Sequence, residues 1–142
     1  MKKIAIVYWS GTGNTEAMAK AIYEGAKEVG AVALFEVDAF AGEKAADYAG
    51  FIFGCPAMGD EVLEEGSFEP FFADIEDKLT GVPVALFGSY GWGGGAWMQT
   101  WQERVKNAGG KLFAEGLIAE NSPSAEVLEA CRALGRDFVK GL

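Results

Sequence analysis

The chain has 142 residues, 50% of them hydrophobic, and a formal net charge of −9. This length and apolar content are typical of one domain with a proper core, spanning residues 1–142, and they exclude a disordered chain. The negative charge argues against non-specific binding to nucleic acids or anionic membranes, because both select basic surfaces. It is compatible with positively charged protein partners.

Residue types that the chain lacks narrow the chemistry further. Cys55 and Cys131 are too few and too far apart for a disulfide framework or a metal site, and the lack of histidine removes Ser-His and Cys-His nucleophile pairs. The apolar run at residues 4–9 is too short for a signal peptide, and nothing approaches the roughly 20 apolar residues of a transmembrane helix. We therefore expect a cytoplasmic protein whose chemistry depends on a bound group.

Apolar runs alternate along the chain with longer segments of helical periodicity, as is typical of a parallel sheet with crossover helices. The predicted strands cover residues 3–8, 32–37, 50–55, 82–88 and 111–119. The predicted helices cover residues 14–29, 68–79, 96–108 and 125–139, the last opened by a serine cap within residues 122–124. Residues 39–48 indicate a short helix or an irregular crossover, and Glu115 and Gly116 indicate an interruption of the last strand.

This alternation predicts an α/β fold, a doubly wound five-stranded parallel sheet of order 2-1-3-4-5 with helices on both faces. In such sheets ligands bind beyond the carboxyl ends of the strands, at the switch point between the first and third strands. We therefore expect the functional loops to be those that follow the first, third and fourth strands. These loops are also the three most unusual stretches of the sequence.

The loop after the first strand reads Ser10-Gly11-Thr12-Gly13-Asn14-Thr15. Its glycines let backbone amides approach an anion, its hydroxyls can donate hydrogen bonds, and the helix that follows adds the partial positive charge of its N-terminus. The loop has no lysine, which excludes the P-loop of nucleotide triphosphatases, and its glycine spacing does not match a dinucleotide fingerprint. The pattern favours a terminal phosphate monoester held by neutral donors over an ordinary capped turn.

The longer segment from Tyr8 to Glu16 resembles the phosphate loop of short-chain flavodoxins, which holds the phosphate of flavin mononucleotide (FMN). The resemblance extends over essentially the whole chain, in its length, its order of elements and its three loops. It implies a flavodoxin-like fold and a low-potential one-electron carrier that uses non-covalently bound FMN and has no substrate of its own. It also implies that Ser10, Gly11, Thr12, Gly13, Asn14 and Thr15 bind this cofactor.

The loop after the third strand reads Pro56-Ala57-Met58-Gly59-Asp60-Glu61, and the resemblance makes all six residues cofactor ligands. A methionine packs well on an aromatic ring, and a glycine permits a peptide to reorient. The resemblance places Met58 by the inner flavin face. It implies that the peptide between Gly59 and Asp60 turns its carbonyl towards flavin N5 on reduction, and that Glu61 accepts a hydrogen bond from flavin N3.

The loop after the fourth strand begins Ser89-Tyr90-Gly91-Trp92-Gly93, five further cofactor ligands by the same resemblance. Aromatic residues in a glycine-rich surface loop are suited to covering a flat ligand, and the resemblance stacks Trp92 on the outer flavin face. Flavodoxins often carry a small polar or acidic residue where this chain has Gly94. Trp97 and Trp101, four residues apart on a helix, are instead predicted to lie in the core.

Residues 60–77 carry eight carboxylates and no base. This pattern fits a solvated surface, and it also fits a negative face that steers basic redox partners and lowers the potential of a nearby flavin. We expect reductases and oxidoreductases with basic docking surfaces as partners, no nucleic acid or membrane, and a monomer.

Two other functions are compatible with the predicted fold. A quinone-reductase-type FMN enzyme would use the same fold, although such enzymes generally have longer chains. A response-regulator domain would need an acidic pair after the first strand, where this chain has Tyr8-Trp9-Ser10. The sequence therefore favours the electron carrier.

Overall fold

The computed structural model describes residues 3–59, 61–91 and 93–142. The strands in these ranges are β1 (Lys3–Tyr8), β2 (Val32–Glu36), β3 (Tyr48–Gly54), β4 (Pro83–Tyr90), β5 (Lys111–Leu112) and β6 (Leu117–Glu120). The α-helices are α1 (Asn14–Lys27), α2 (Phe68–Ile75), α3 (Ala96–Asn107) and α4 (Ala125–Lys140). Three 3-10 turns complete these elements, at Val37–Phe40, Ala45–Asp47 and Glu76–Lys78.

The strands form one sheet of order β2-β1-β3-β4-β5, with β6 also paired to β4, and every pairing is parallel. The predicted strand order 2-1-3-4-5 is therefore confirmed. The fifth position is shared by two short strands, so the predicted interruption is also present. Between them, the Gly116 N–H donates to the Gln102 side chain of α3 at 2.6 Å and not to a neighbouring strand.

Several predicted boundaries were wrong by one to four residues. Tyr48 opens β3 and does not end the crossover, because it pairs with Lys3 of β1. β4 continues to Tyr90 because β6 pairs with its last residues, and α1 ends at Lys27. The α-helical part of α2 ends at Ile75, after which one 3-10 turn completes the predicted helix.

Two apolar cores cover the two faces of the sheet. One is formed with α1 and α4, around Ile6, Ile22 and Phe138. The other is formed with α2 and α3 and contains Trp97 and Trp101, each only 1% exposed. The prediction that these two tryptophans belong to the core is therefore confirmed. With both faces covered by helices, the carboxyl edge of the sheet is left open to a ligand.

Candidate functional site

A cavity of about 260 Å³ lies at the carboxyl edge of the sheet, where the three predicted loops meet. From the first loop it is lined by Gly11, Thr12, Asn14 and Thr15; from the second by Pro56, Ala57 and Met58; and from the third by Ser89, Tyr90 and Gly91. Trp9 and Asn121 complete the lining. The lining residues include hydroxyl, amide and aromatic groups but no lysine or arginine.

Five of the predicted ligands that the structure describes are not in this lining. Ser10, Gly13, Gly59 and Gly93 belong to the same loops without lining the cavity, and Glu61 lines a smaller cavity of about 80 Å³. Two further predicted ligands, Asp60 and Trp92, lie outside the described residues. The roles that the resemblance implies for them, in the reorienting peptide and in stacking, remain predictions.

Trp9 lines the cavity although the motif analysis did not include it among the ligands. It follows β1 directly and is held to β3 by a 3.0 Å hydrogen bond from its N–H to the Gly54 carbonyl. Its indole ring lies over Gly11, so close that a Cβ on Gly11 would sit 2.9 Å from the ring. An aromatic residue at a strand end, next to a glycine that it covers, is the signal that could have identified it.

Backbone hydrogen bonds join the loops to one another. The Ala57 N–H donates to the Ser89 carbonyl at 3.0 Å, and the Asn121 N–H donates to the Tyr90 carbonyl at 2.7 Å. Tyr90 is half-buried and packs on the Trp97 ring, with the two centroids 5.6 Å apart. The loops therefore continue the sheet register past the strand ends, so that their side chains converge on the cavity.

Ser10 organises the start of α1. Its Oγ accepts hydrogen bonds from the Gly13 N–H at 3.1 Å and the Glu16 N–H at 3.2 Å. Gly13 occupies the N-cap position of α1 and has no side chain to accept a hydrogen bond, so Ser10 caps the helix in its place. A second contact joins β1 to α1, because the Tyr8 hydroxyl donates a hydrogen bond to the Glu16 carboxylate at 3.0 Å. Burial and then this bond raise the pKa of Tyr8 to about 12, so the phenol remains a donor. The first loop is thus fixed before any ligand binds.

The loop after β3 forms a tight turn. Met58 and Val62 exchange backbone hydrogen bonds of 2.9 and 3.0 Å across it. Gly59 has a φ of 47°, and Glu61 has a φ of 63°, a left-handed conformation that is uncommon for a residue with a side chain. Contacts of the Glu61 carboxylate hold that residue in place.

The Glu61 carboxylate lies between this turn and α3. Its Oε2 accepts a 2.7 Å hydrogen bond from the Trp97 N–H in the first turn of α3. Its Oε1 is buried without a hydrogen-bond partner among the described residues, and a Cβ on Gly93 would overlap that oxygen. A buried carboxylate oxygen without a partner is costly, so its presence points to a donor supplied by a ligand or water.

Not all of the carboxylates in the acidic stretch at residues 60–77 are exposed, although its sequence would indicate that they are. Arg104 of α3 binds the Glu69 carboxylate through two hydrogen bonds and also pairs with Glu76, and its guanidinium lies 4.8 Å from the centre of the Phe72 ring. Residues 60–77 themselves contain no base, and α3 supplies one from another part of the chain. Among the described residues of the stretch, the carboxylates that remain exposed are those of Glu65, Asp74 and Asp77.

Glu64 is occupied in a different way. Its carboxylate accepts hydrogen bonds of 2.7–2.8 Å from the N–H groups of Gly66, Ser67 and Phe68, and it thereby caps α2. Burial would raise the pKa of Glu64, but these three donors outweigh it and hold that pKa below its usual range. This carboxylate is structural and not available to a partner.

A larger cavity, of about 510 Å³, lies elsewhere, between α2 and the crossover that contains Phe40. None of its lining residues comes from the loops after β1 or β4. Its floor includes Phe71 and Ile75, and its rim carries carboxylates such as Asp38. We assign the ligand site to the smaller cavity because only there do the strand-end loops bring hydrogen-bond donors and aromatic rings together.

Comparison with known proteins identifies the family, since the flavodoxin family model matches residues 6–135. The chain belongs to the flavodoxin family. It is 45% identical over 135 residues to a flavodoxin from Clostridium beijerinckii, covering 92% of this chain and 95% of that protein. It is 43% identical over 140 residues to a flavodoxin from Megasphaera elsdenii, covering 96% and 98%. The solution structure of the two-electron reduced Megasphaera elsdenii flavodoxin superposes with a TM-score of 0.84 at 42% identity, covering 96% of this chain and 98% of that one.

Membership of the flavodoxin family confirms the fold, the FMN cofactor and the electron-carrier function that the resemblance implied. Flavodoxins are electron-transfer proteins and not enzymes, and the comparisons give no support to a quinone-reductase-type activity. None of the helices within the described ranges has the length and apolar character needed to span a membrane.

Proposed function

We propose that the chain binds FMN non-covalently in the 260 Å³ cavity and carries single electrons at low potential between larger redox proteins. The observation that carries this proposal is the convergence of all three strand-end loops on one cavity whose lining residues include several neutral donors and no lysine or arginine. When bound, FMN supplies a flavin ring that accepts and releases electrons one at a time. The residues of the chain position the ring and its phosphate and limit the access of water.

The phosphate end of the site is the loop at residues 10–15. Thr12 and Asn14 line the cavity there, Thr15 lies at its base, and the N-terminus of α1 adds backbone amides and a partial positive charge. Neutral donors can bind a phosphate monoester without placing a cation beside the flavin. This arrangement supports FMN over riboflavin, which lacks the phosphate.

The ring end of the site lies between the loops after β3 and β4. Met58 and Tyr90 line the cavity on these two sides, with Met58 proposed for the inner flavin face. The unpartnered Glu61 Oε1 fits the N3–H group of a flavin, which would supply the donor that this oxygen lacks. The proposed roles of Asp60 and Trp92 rest on the resemblance alone.

We further propose partners with basic docking surfaces, since the net charge is −9 and the loop after β3 exposes Glu65, while Asp74 in α2 and Asp77 in the 3-10 turn after it are also exposed. Electron transfer to such partners should slow as salt screens these charges. On the resemblance to other flavodoxins, we propose one flavodoxin-like domain that acts as a monomer in the cytoplasm.

The direct test is a titration of the apoprotein with FMN and with riboflavin, followed by tryptophan fluorescence. We expect strong quenching by FMN and weaker binding of riboflavin. Thr12→Val should weaken FMN binding about tenfold and leave riboflavin binding unchanged. Thr80→Val is the matched control, because it removes a hydroxyl bonded to the Ala108 carbonyl, far from the cavity.

Two outcomes would overturn parts of the proposal. A colourless protein whose fluorescence does not respond to FMN would remove the flavin site altogether. Steady turnover of NAD(P)H with a quinone would replace the carrier by an enzyme.

An anaerobic redox titration of the FMN-loaded protein should give two separate midpoint potentials, the lower of them well below that of free FMN.

A further inference from the structure

Ser89 occupies the junction of the three loops around the cavity. Its Oγ lies 3.0 Å from the Thr15 Oγ1, although the two residues are 74 positions apart in the chain. Its N–H points at the same Thr15 oxygen at 3.4 Å, and its carbonyl accepts the hydrogen bond from Ala57 described above. One residue at the end of β4 therefore contacts the start of α1 through its side chain and the loop after β3 through its backbone.

Both hydroxyls are buried, with Thr15 fully covered and Ser89 only 5% exposed, and both residues line the cavity. Each hydroxyl can donate one hydrogen and accept others. The Ser89 N–H already points at the Thr15 oxygen, so that oxygen has one donor from the Ser89 backbone, and either hydroxyl of the pair can donate to the other. When the Ser89 hydroxyl also donates to it, the hydrogen of the Thr15 hydroxyl is left free to point into the cavity.

We propose that Ser89 is a positioning residue for the phosphate of the bound cofactor, and that it acts through Thr15 without contacting the phosphate. In this arrangement Ser89 donates to Thr15, and Thr15 donates to a phosphate oxygen. Donation to an anion polarises the Thr15 hydroxyl and strengthens the bond that it accepts from Ser89. The inference rests on the proposed function, since it assumes that the loop at residues 10–15 holds the phosphate.

The discriminating measurement compares the affinities of Ser89→Ala and the unmodified protein for FMN and for riboflavin. We expect FMN to bind about fivefold more weakly to the variant, while riboflavin binding changes by less than about twofold. Ser89→Cys, which preserves the volume but donates poorly, should behave in the same way if the alanine variant does not fold. Equal losses for both ligands, or no loss for either, would overturn the proposal.

Ser124→Ala provides a matched control. The Ser124 Oγ accepts a 3.2 Å hydrogen bond from the Val127 N–H at the start of α4, so this variant also loses one hydroxyl and one hydrogen bond. It should lower the stability of the protein without changing the ratio of FMN to riboflavin affinity. If the ratio of FMN to riboflavin affinity changes in this control, the ratio depends on stability, and its change in Ser89→Ala is no evidence for a positioning role.

A double-mutant cycle separates action through Thr15 from direct contact. In a Thr15→Val background, Ser89→Ala should leave the ratio of FMN to riboflavin affinity unchanged, because the relay is already broken. An additive effect would mean that Ser89 contacts the phosphate itself. If the unmodified protein shows no preference for FMN over riboflavin, the phosphate assignment of the proposed function fails. If that preference exists but survives Ser89→Ala, only the present inference fails.

Discussion

The Glu61 carboxylate and the Trp97 backbone N–H are joined by a 2.7 Å hydrogen bond that links the turn after β3 to the first turn of α3. Helix α3 begins after Gly95, which has no side chain to act as a cap, so the carboxylate from another loop takes that role. A single side chain thereby stabilises a helix terminus, holds its own residue in a left-handed conformation, and leaves one buried oxygen for a ligand.

Glu61→Ala should therefore change both stability and cofactor binding. We expect the free energy of unfolding of the apoprotein to fall by about 1–2 kcal/mol through loss of the cap, and FMN affinity to fall about tenfold. Urea denaturation and FMN titration measure the two effects. Glu65→Ala, an exposed neighbour, should change stability by less than about 0.5 kcal/mol, and an equal effect at both positions would contradict the assignment.

Gly93→Ala tests the contact on the other side of the same carboxylate. Gly93 and Gly42 have nearly the same φ, 91° and 90°, but an added Cβ meets Glu61 only at Gly93. Gly42→Ala should cost about 1–2 kcal/mol of stability for its backbone alone, and Gly93→Ala should cost more. In a Glu61→Ala background, the extra loss of stability at Gly93 relative to Gly42 should disappear. If the extra loss persists in that background, another contact is responsible for it.

The Glu64 cap makes part of the stability depend on pH. Its pKa is lower in the folded protein than the ordinary value of 4.5, so its stabilisation is complete above pH 4.5 and is lost as the pH falls through the folded value. Glu64→Gln should lower the free energy of unfolding by about 1 kcal/mol at pH 7, and by less below pH 4. Urea denaturation at both pH values measures this difference, and a loss that is equal at the two pH values would contradict the role of the ionised Glu64 cap.

Arg104 should matter more than a surface arginine. Arg104→Gln leaves Glu69 and Glu76 without their common partner and removes the contact with the Phe72 ring, so we expect a loss of about 1–2 kcal/mol. Arg132→Gln breaks pairs with Glu24 and Glu129 that are more exposed, and it should cost less than about 0.5 kcal/mol. Thermal or urea unfolding measures the loss of stability in both variants, and equal losses would contradict the stronger stabilising role of Arg104.

The two thiols should be unreactive in the native protein. Burial raises the pKa of both Cys55 and Cys131 to about 12, so neither is a thiolate at pH 8. A thiol reagent such as DTNB should label neither cysteine until denaturant is added. Because unfolded thiols ionise near pH 9, the free energy of unfolding should also fall as the pH rises above that value. Rapid native labelling would contradict this burial.

Much of the fold followed from local pattern. Continuous apolar runs predicted β1, β3 and β4, and because parallel strands end at one edge, the sequence alone predicted that the three loops lie together. The errors were at element ends. β4 runs to Tyr90 because β6 pairs with it, and that pairing partner lies about thirty residues further along the chain.

Side-chain partners were beyond sequence reasoning. The stretch at residues 60–77 contains no base, yet Arg104 reaches back across 35 positions to bind Glu69. Glu64 looks like a further surface charge in the sequence, and for Glu61 the resemblance implied only a flavin contact, but both act as helix caps in the structure. Such contacts depend on how α2 and α3 pack on the sheet, which no local window of the sequence contains.

Periodicity and local motifs were enough to specify the fold class, the proposed phosphate loop and the kind of group proposed to bind there. These depend on neighbours a few residues apart along the chain. The packing of remote elements set which of the described carboxylates remain exposed, and it brought Ser89 to Thr15 across 74 positions. Hydrogen bonds and ion pairs require approach to within about 3 Å, and only packing sets distances on that scale between remote residues.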